Sequence, residues 1–517
     1  MKKIGLILAF LWVILISGSS FAAYSGDELI RVGLNYDNKN AARVSVTSDD
    51  ALALFTVIDR APVQIFECDA KSASFEKGAT GDLNVILDKR YDTFSELYAD
   101  AGALRQKYST AFYYYNNGWY LVLGRYDSSN QAKNKLSSFS AVSSSDLSIR
   151  ESTDDDVSIQ VGGKTVMAYS SASSDFFVAS VNYPNSGLVA YGDKVYRGGI
   201  GTNRTALNDM AVINYLVMDH YLYGVLPKEM SESWPKEALK AQAVVARNFA
   251  IANFDKHGEE GYDLCSTTNC QVYGGYGVEK PSSNLAVDES SRDLLYYNDE
   301  LVVGYYHANS GGKTADIESV WSAEVPYLQS VEDPYSLDAP NADWTVELSP
   351  KAIEQQLADQ NYFIGTLKGI KICDVADDGR VQVIDFIGDK GTATLKKEEM
   401  RKVFGYVAFK SIYFDLISGD VLSVANTTQY SDVTLADAKV FNGETTTPLS
   451  SKNSVTIIGM EGRTTVDMTP SNYTFVGHGF GHGIGMSQWG AKKMAEEGFD
   501  YEGILYHYYT GTQLINN

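Results

Sequence analysis

Residues 224–250, "GVLPKEMSESWPKEALKAQAVVARNFA", place one glutamate, Glu229, ahead of an alanine-rich stretch that carries Lys240, Gln242 and Arg247. A carboxyl group in an apolar setting holds its proton to higher pH and can then serve as a general acid. Met230 and Trp234 are the apolar neighbours on hand. A solvated loop acid is the competing assignment. Lys240 and Arg247 recur at a seven-residue step and so share one helical face. Two cations on a buried helix need partners. Either core carboxylates meet them, or they line a cleft for an anionic or oxygen-rich ligand.

Three further stretches carry chemistry-bearing types. His257, Cys265 and Cys270 are zinc-ligand types close in sequence, although the spacing is not that of a zinc finger. In an exported chain a disulfide between the two cysteines is equally open. "HANSGGKT" (307–314) lacks the spacing of a phosphate-binding loop. Its Ser310-Gly311-Gly312 turn either brings backbone amides to a ligand or is simply tight. "GHGFGHGIGMSQWG" (477–490) has glycine at nearly every second position, which allows close backbone approach. His478 and His482 fall on one side of an extended segment, without an acidic third ligand beside them. Trp489 is either a sugar-stacking ring or core.

The elements that must position these groups are legible in outline. Pro235 suits the first turn of a helix and Glu237 its positive end. Leu239, Ala243, Ala246 and Ala250 share a face, and Val244, Val245, Phe249 and Ile251 add to it, so this helix is buried. Glu229 falls in a proline-bracketed turn before it. The remainder of 158–517 reads as strands punctuated by Gly and Asn, with 370–405 as two hairpins followed by a helix. The fold class is therefore α+β: a strand-rich region around one long buried helix.

Upstream, 30–46 reads as two strands around a polar turn, within a strand-rich region 24–84. Phe94, Leu97, Ala101, Leu104 and Tyr108 mark an amphipathic helix. "AFYYYNNGWYLVLGRY" is an aromatic hairpin turned by Asn116-Asn117-Gly118, and a short helix follows near 132–139. This is a small α+β module, 85–145. One face of its hairpin packs on the helices and the other presents tyrosines. Serines at 137–148 read as a linker that ends the module.

The start "MKK", the apolar run 4–16 and the small residues of "SGSSFAA" form the layout of a signal peptide, residues 1–23. The expected location is secreted or cell-wall associated. A net charge of −22 excludes a broad phosphate-binding face, so no nucleic-acid partner is expected. Four cysteines are too few for a disulfide-stapled scaffold, and Cys68 and Cys373 read as buried thiols or as unrelated to function. His220 and His507 read as structural.

"YLYGVLPKEM", "WPKEALKAQAVVAR", "CSTTNCQVYGG", "YYHANSGGKT", "PYLQSVEDPY" and "GHGFGHGIGMSQWGAKKMAEEGFDYEGILYHYYTGT" occur in that order between 203 and 512. Together they resemble the stage II sporulation protein D / amidase-enhancer family, with a core motif at 203–315 and a C-terminal motif at 473–512. "NGWYLVLGRYDSSNQAKNKL" is similar to the sporulation-related (SPOR) repeat that binds peptidoglycan.

The first resemblance implies a peptidoglycan lytic transglycosylase that forms 1,6-anhydro-muramyl ends, with Glu229 as catalytic acid. It implies that Lys240, Gln242, Arg247, Tyr273, Ser310, Gly311, Gly312, His482 and Gln488 bind or frame glycan. It also implies that His257, Cys265 and Cys270 hold zinc. This chain has Asn269 where many members have a histidine, and His478 where arginine is common. The alternative is a non-enzymatic activator of a murein amidase. A wall-binding protein acting through the SPOR-like module is a third reading.

Overall fold

In the computed structural model the described residues are 28–516, except 36–40, 79–80, 205–208, 419–420, 426–429, 435–438, 442–445, 449–453, 460–461 and 468–471. The expected signal peptide and most of the polar turn within 30–46 fall outside them. The chain is an α+β protein built on two large sheets. A seven-stranded sheet runs Leu264–Cys265, Leu29–Gly33, Met210–Val217, Gly199–Arg204, Phe176–Ser180, Leu52–Ile58, Ala61–Glu67. Its alternation is strict: Leu52, Leu54, Phe176 and Val178 face the main core, while Ala53, Phe55, Phe177 and Ala179 face a second cluster with Tyr183, Tyr215 and Tyr262.

The upstream regions share these sheets with the later chain. Leu29–Gly33 pairs antiparallel with Met210–Val217. Ser72–Lys77 pairs with both Arg43–Thr47 and Asp156–Val161 in the ten-stranded sheet. The two strands expected within 30–46 thus enter different sheets.

Residues 83–151 form a βαββαβ unit: Leu83–Leu87, helix α1 (Phe94–Lys107), Phe112–Tyr115, Trp119–Tyr126, helix α2 (Ser129–Leu136) and Leu147–Glu151. Thr93 and Glu96 close a reciprocal capping box at the start of α1. The unit continues the ten-stranded sheet, because Phe112–Tyr115 pairs parallel with Lys164–Ser170. The serine-rich stretch is not a free linker: Phe139 is buried, and Leu147–Glu151 pairs with Leu83–Leu87. The second hairpin face also differs from expectation. Phe112 and Tyr114 are buried, and the Arg125 and Arg150 guanidiniums lie 5.1 and 4.1 Å over their rings. Buried beneath these guanidiniums, Phe112 and Tyr114 are not offered to sugars.

Against the seven-stranded sheet lies a helical layer: α3 (Met218–Glu229), α4 (Lys236–Ala252), α5 (Pro281–Glu289), α6 (Gln488–Glu496) and α7 (Tyr501–Tyr508). The segment before α4 was expected to be a turn, and it is instead the helix α3. Gly224 and Pro227 suggested the turn. Gly224 is there for packing, since a Cβ would sit 2.4 Å from the Tyr273 ring. Pro227 falls in the last turn, where it costs the helix one backbone hydrogen bond. Helix α4 is buried as expected, and Asn248 stitches it to the strands by donating to Leu295 O and Val302 O, both at 2.8 Å. No helix among the described residues is long and apolar enough to cross a membrane.

Between Asp343 and His478 the chain builds a lobe with its own core, including Trp344, Phe386, Phe409 and Phe475. It contains the expected pair of hairpins, Leu367–Val375, Val381–Gly388 and Thr392–Lys396, and then the helix Glu399–Phe404. Buried Arg380 ties this lobe to the 307–319 segment by donating to Lys313 O and Thr314 O at 2.9 and 3.2 Å. Cys373 is exposed on its outer strand, and Cys68 is half-buried.

Candidate active site

Glu229 is the last residue of α3, Gln242 lies in α4, Gln488 opens α6, and Tyr306 sits on the short strand Tyr306–His307. That strand pairs parallel with Met486–Ser487, which delivers Gln488 to Glu229. The glycine run makes this approach workable. Gly483 and Gly485 adopt φ of +83° and +69°, and a Cβ on Gly485 would meet Tyr305 O at 2.1 Å. The segment expected to be extended is thus largely a loop.

The Gln488 amide donates to Glu229 Oε2 at 3.3 Å and to Gln242 Oε1 at 3.4 Å. Tyr306 also hydrogen-bonds Glu229. The Gln271 amide donates to the Tyr306 oxygen at 3.1 Å, which leaves the phenolic proton for the carboxylate. Tyr221 in turn donates to Gln271 Oε1 at 3.1 Å. Burial raises the Glu229 pKa, opposed by the donors Gln488 and Tyr306, and the net shift is upward. A carboxylate at the C-terminal end of a helix also faces the negative end of the dipole. The groups bonded to Glu229 are neutral. This is the environment of a carboxyl group that keeps its proton until it is needed.

Gln488 therefore reaches Glu229 directly and Gln242 joins through Gln488, whereas Lys240 and Arg247 are paired elsewhere. Residues 240 and 242 are separated by about 200° around the helix, so the face turned to Glu229 is not the cationic one. Lys240 lies 3.7 Å from Glu237, 3.9 Å from Glu289 and 4.0 Å over the Tyr501 ring. Arg247 is fully buried, pairs with Asp219 at 3.1 Å and donates to Ser290 O at 2.8 Å. Among the described residues neither ion-pairs with Glu229. Of the two outcomes open in the sequence, carboxylates of the protein answer these cations, with Asp219 and Glu237 partly exposed and Glu289 at the surface.

The remaining expected binding residues make contacts within the protein. Tyr273 is buried behind α3 and donates to Asn214 Oδ1 at 2.9 Å. Ser310 donates to Asp333 Oδ2 at 2.6 Å. The Gly311 amide is taken by Asn309 Oδ1 at 2.7 Å, and the Gly312 amide by Ser310 Oγ and Ser336 Oγ at 3.2 and 3.0 Å. These amides are occupied within the protein, and the turn instead clamps the 478–479 backbone, where a Gly311 Cβ would come within 2.5 Å. His482 accepts from the Ile484 N–H at 3.0 Å and packs on Trp321 and His307. Burial, then Arg401 and Arg380, pull it down to about 4, so it is neutral at physiological pH. His478 bonds Asp343 at 2.6 Å, away from His482's partners.

Three participants escaped the sequence reading: Tyr306, Gln271 and Asp333. Asp333 is buried without a cation, accepts from Ser310 and Tyr508, and is raised by burial. It underpins α6 and hence Gln488. Gln271 and Tyr306 both lie inside the motifs quoted above, and adjacency to Cys270 was the only local sign for Gln271.

His257 Nε2, Cys265 Sγ and Cys270 Sγ lie within 4.8 Å of one another. The Nε2···Sγ separation between His257 and Cys270 is 3.3 Å. A tetrahedral zinc with ordinary bond lengths spaces nitrogen and sulfur ligands by roughly 3.5 Å, so the donors fit. Both thiols are free, and their mutual hydrogen bond lowers the Cys265 thiol. Asn269 Oδ1 is 3.9 and 3.8 Å from the two sulfurs, on the same side as the cluster. The loop is anchored by Asp263: burial pushes its carboxyl up, but Arg60 and Arg31, bonded at 3.0 and 2.8 Å, bring it to about 2.

A family profile described as "Stage II sporulation protein" matches residues 206–297, the stretch from the α3–α4 pair to the cysteine loop and α5. An uncharacterized protein of Brachyspira hyodysenteriae is 31% identical over 308 residues, 59% of this chain and 69% of its own length. The chain belongs to the stage II sporulation protein D / amidase-enhancer family. Within this family the Bacillus subtilis "Amidase enhancer" is 32% identical over 312 residues, 57% of this chain, but the match spans only 40% of that protein. The Bacillus subtilis "Stage II sporulation protein D" is 25% identical over 318 residues and is covered for 75% of its length.

Proposed function

We propose that this chain is a cell-wall protein that cleaves peptidoglycan glycan strands as a lytic transglycosylase. The observation that carries the reading is Glu229 itself. It is a shielded carboxyl group with a raised pKa, held by two neutral donors. Hydrolytic glycosidases ordinarily use two carboxylates, whereas a single acid suffices when the sugar supplies its own nucleophile. Glu229 gives its proton to the departing glycosidic oxygen as the C1–O bond breaks. Its carboxylate, steadied by Gln488 and Tyr306, then takes the proton of the 6-hydroxyl as that oxygen bonds C1. The product carries a 1,6-anhydro ring, and Glu229 is again protonated.

His257, Cys265 and Cys270 would hold one zinc in a structural role, with Asn269 beside them. A bound zinc would cross-link the loop that ends in Gln271, the residue that orients Tyr306. Export and association with the wall complete this reading.

The second reading, an activator of a murein amidase, draws support from the name of the Bacillus subtilis relative. Incubation of purified glycan strands with the protein separates the two, because an activator alone releases no new glycan ends.

A further inference from the structure

Trp234 follows the end of α3 and Trp489 follows Gln488, so both flank Glu229 from different elements. Their ring centroids are 4.7 Å apart with a 53° tilt, and both rings remain partly exposed. They are held firmly. The Trp489 backbone N–H donates to Ala308 O at 3.1 Å, and the Trp234 backbone N–H to Ser231 O at 3.0 Å. Gly490, next in the chain, packs so tightly that a Cβ would meet the Tyr508 hydroxyl at 2.0 Å. Lys492 Nζ hangs 5.9 and 5.5 Å from the two rings, and it is already paired with Glu496 at 2.5 Å. Among the described residues neither indole N–H has a protein acceptor.

We propose that Trp234 and Trp489 form a stacking platform beside Glu229 for an uncharged N-acetylated pyranose ring of the glycan. Two rigid indoles half-open to solvent leave apolar surface that a sugar's C–H face covers, and their N–H groups are available to its hydroxyl or amide oxygens. The Lys492–Glu496 pair balances the local charge, which favours a neutral sugar over an anionic one. This inference rests on the glycan reading given above and adds the contact surface to it.

The test is calorimetric titration of a soluble N-acetylglucosamine hexamer into the Glu229→Gln chain. Trp489→Ala and Trp234→Ala are each expected to weaken binding by roughly tenfold. Trp489→Phe should lose less, and Lys492→Met should stay within about twofold. Binding by both alanine variants within about twofold of the parent overturns the platform, as does no binding by the parent at millimolar hexamer. If an alanine variant fails to fold, indole emission of the parent decides: a blue shift at saturation that Trp489→Phe diminishes supports the platform, and no shift overturns it. Failure of the two ideas is distinguishable. Glycan cleavage that survives both tryptophan substitutions removes the platform alone. Tryptophan-dependent binding without release of anhydro ends removes the transglycosylase reading alone.

Discussion

Gln488 Nε2 reaches Glu229 Oε2 at 3.3 Å from 259 residues further along the chain. The contact joins the C-terminal glycine-rich motif to the end of α3, and Gln242 completes it from α4. Everything expected of Glu229 depends on this meeting of three helices and the Tyr306 strand.

Glu229→Gln keeps the side-chain volume and removes the transferable proton. Cleavage of glycan strands is expected to disappear. Because burial raises the Glu229 pKa, its ionised form is disfavoured in the fold, and stability is lost as pH rises from the unfolded pKa through the folded one. The amide variant escapes this loss, so its Tm at neutral pH should equal or exceed that of the parent by calorimetry.

Tyr306→Phe and Gln488→Leu each delete a donor to the carboxylate. Such donors lower the Glu229 pKa, so their loss raises it further. The limb of the pH–rate profile on which activity falls with rising pH should move to higher pH in both variants, with a lower kcat. Gln271→Leu should reproduce the Tyr306→Phe profile in weaker form, since it acts through that hydroxyl.

Arg247→Met leaves the buried Ser290 carbonyl and the partly exposed Asp219 without their partner, and should cost about 1–3 kcal/mol of stability. Lys240→Met, which loses partly exposed pairs, should cost about 1 kcal/mol or less. In both variants the pH profile of the remaining activity should match the parent's. A shifted profile would return these cations to the catalytic cleft.

The cysteine loop should bind about one zinc per chain when the protein is purified without chelator, read by elemental analysis. His257→Ala should lower that content and the Tm together. Metal-free protein without titratable thiol at Cys265 or Cys270 would establish the disulfide instead.

The legibility of these features in the chain follows physical lines. Glu229, Gln242 and Gln488 were singled out through the family resemblance, because residue type alone leaves a loop acid and two amides open, whereas His257, Cys265 and Cys270 stood out as metal-ligand types close in sequence. The shared face of Lys240 and Arg247 was also right, since periodicity fixes it. Which way that face turns was decided by Asp219, Glu289 and Tyr501, which come from other elements. Gly224 and Pro227 spell a turn locally, and packing against Tyr273 overrides that signal to leave a helix. The Ser310-Gly311-Gly312 amides looked available because Asn309, Ser336 and the 478–479 backbone, which occupy or cover them, were not evident locally. Sheet sharing between the upstream regions and the later chain rests on pairings such as Leu29 with Val217, which no local pattern encodes.

The most direct test of Glu229 as a lone acid–base catalyst is mass spectrometry of purified glycan strands after incubation with the protein. The account predicts new 1,6-anhydro-muramyl ends with the parent chain and none with Glu229→Gln. Reducing ends without the anhydro ring, or undiminished cleavage by Glu229→Gln, would contradict it.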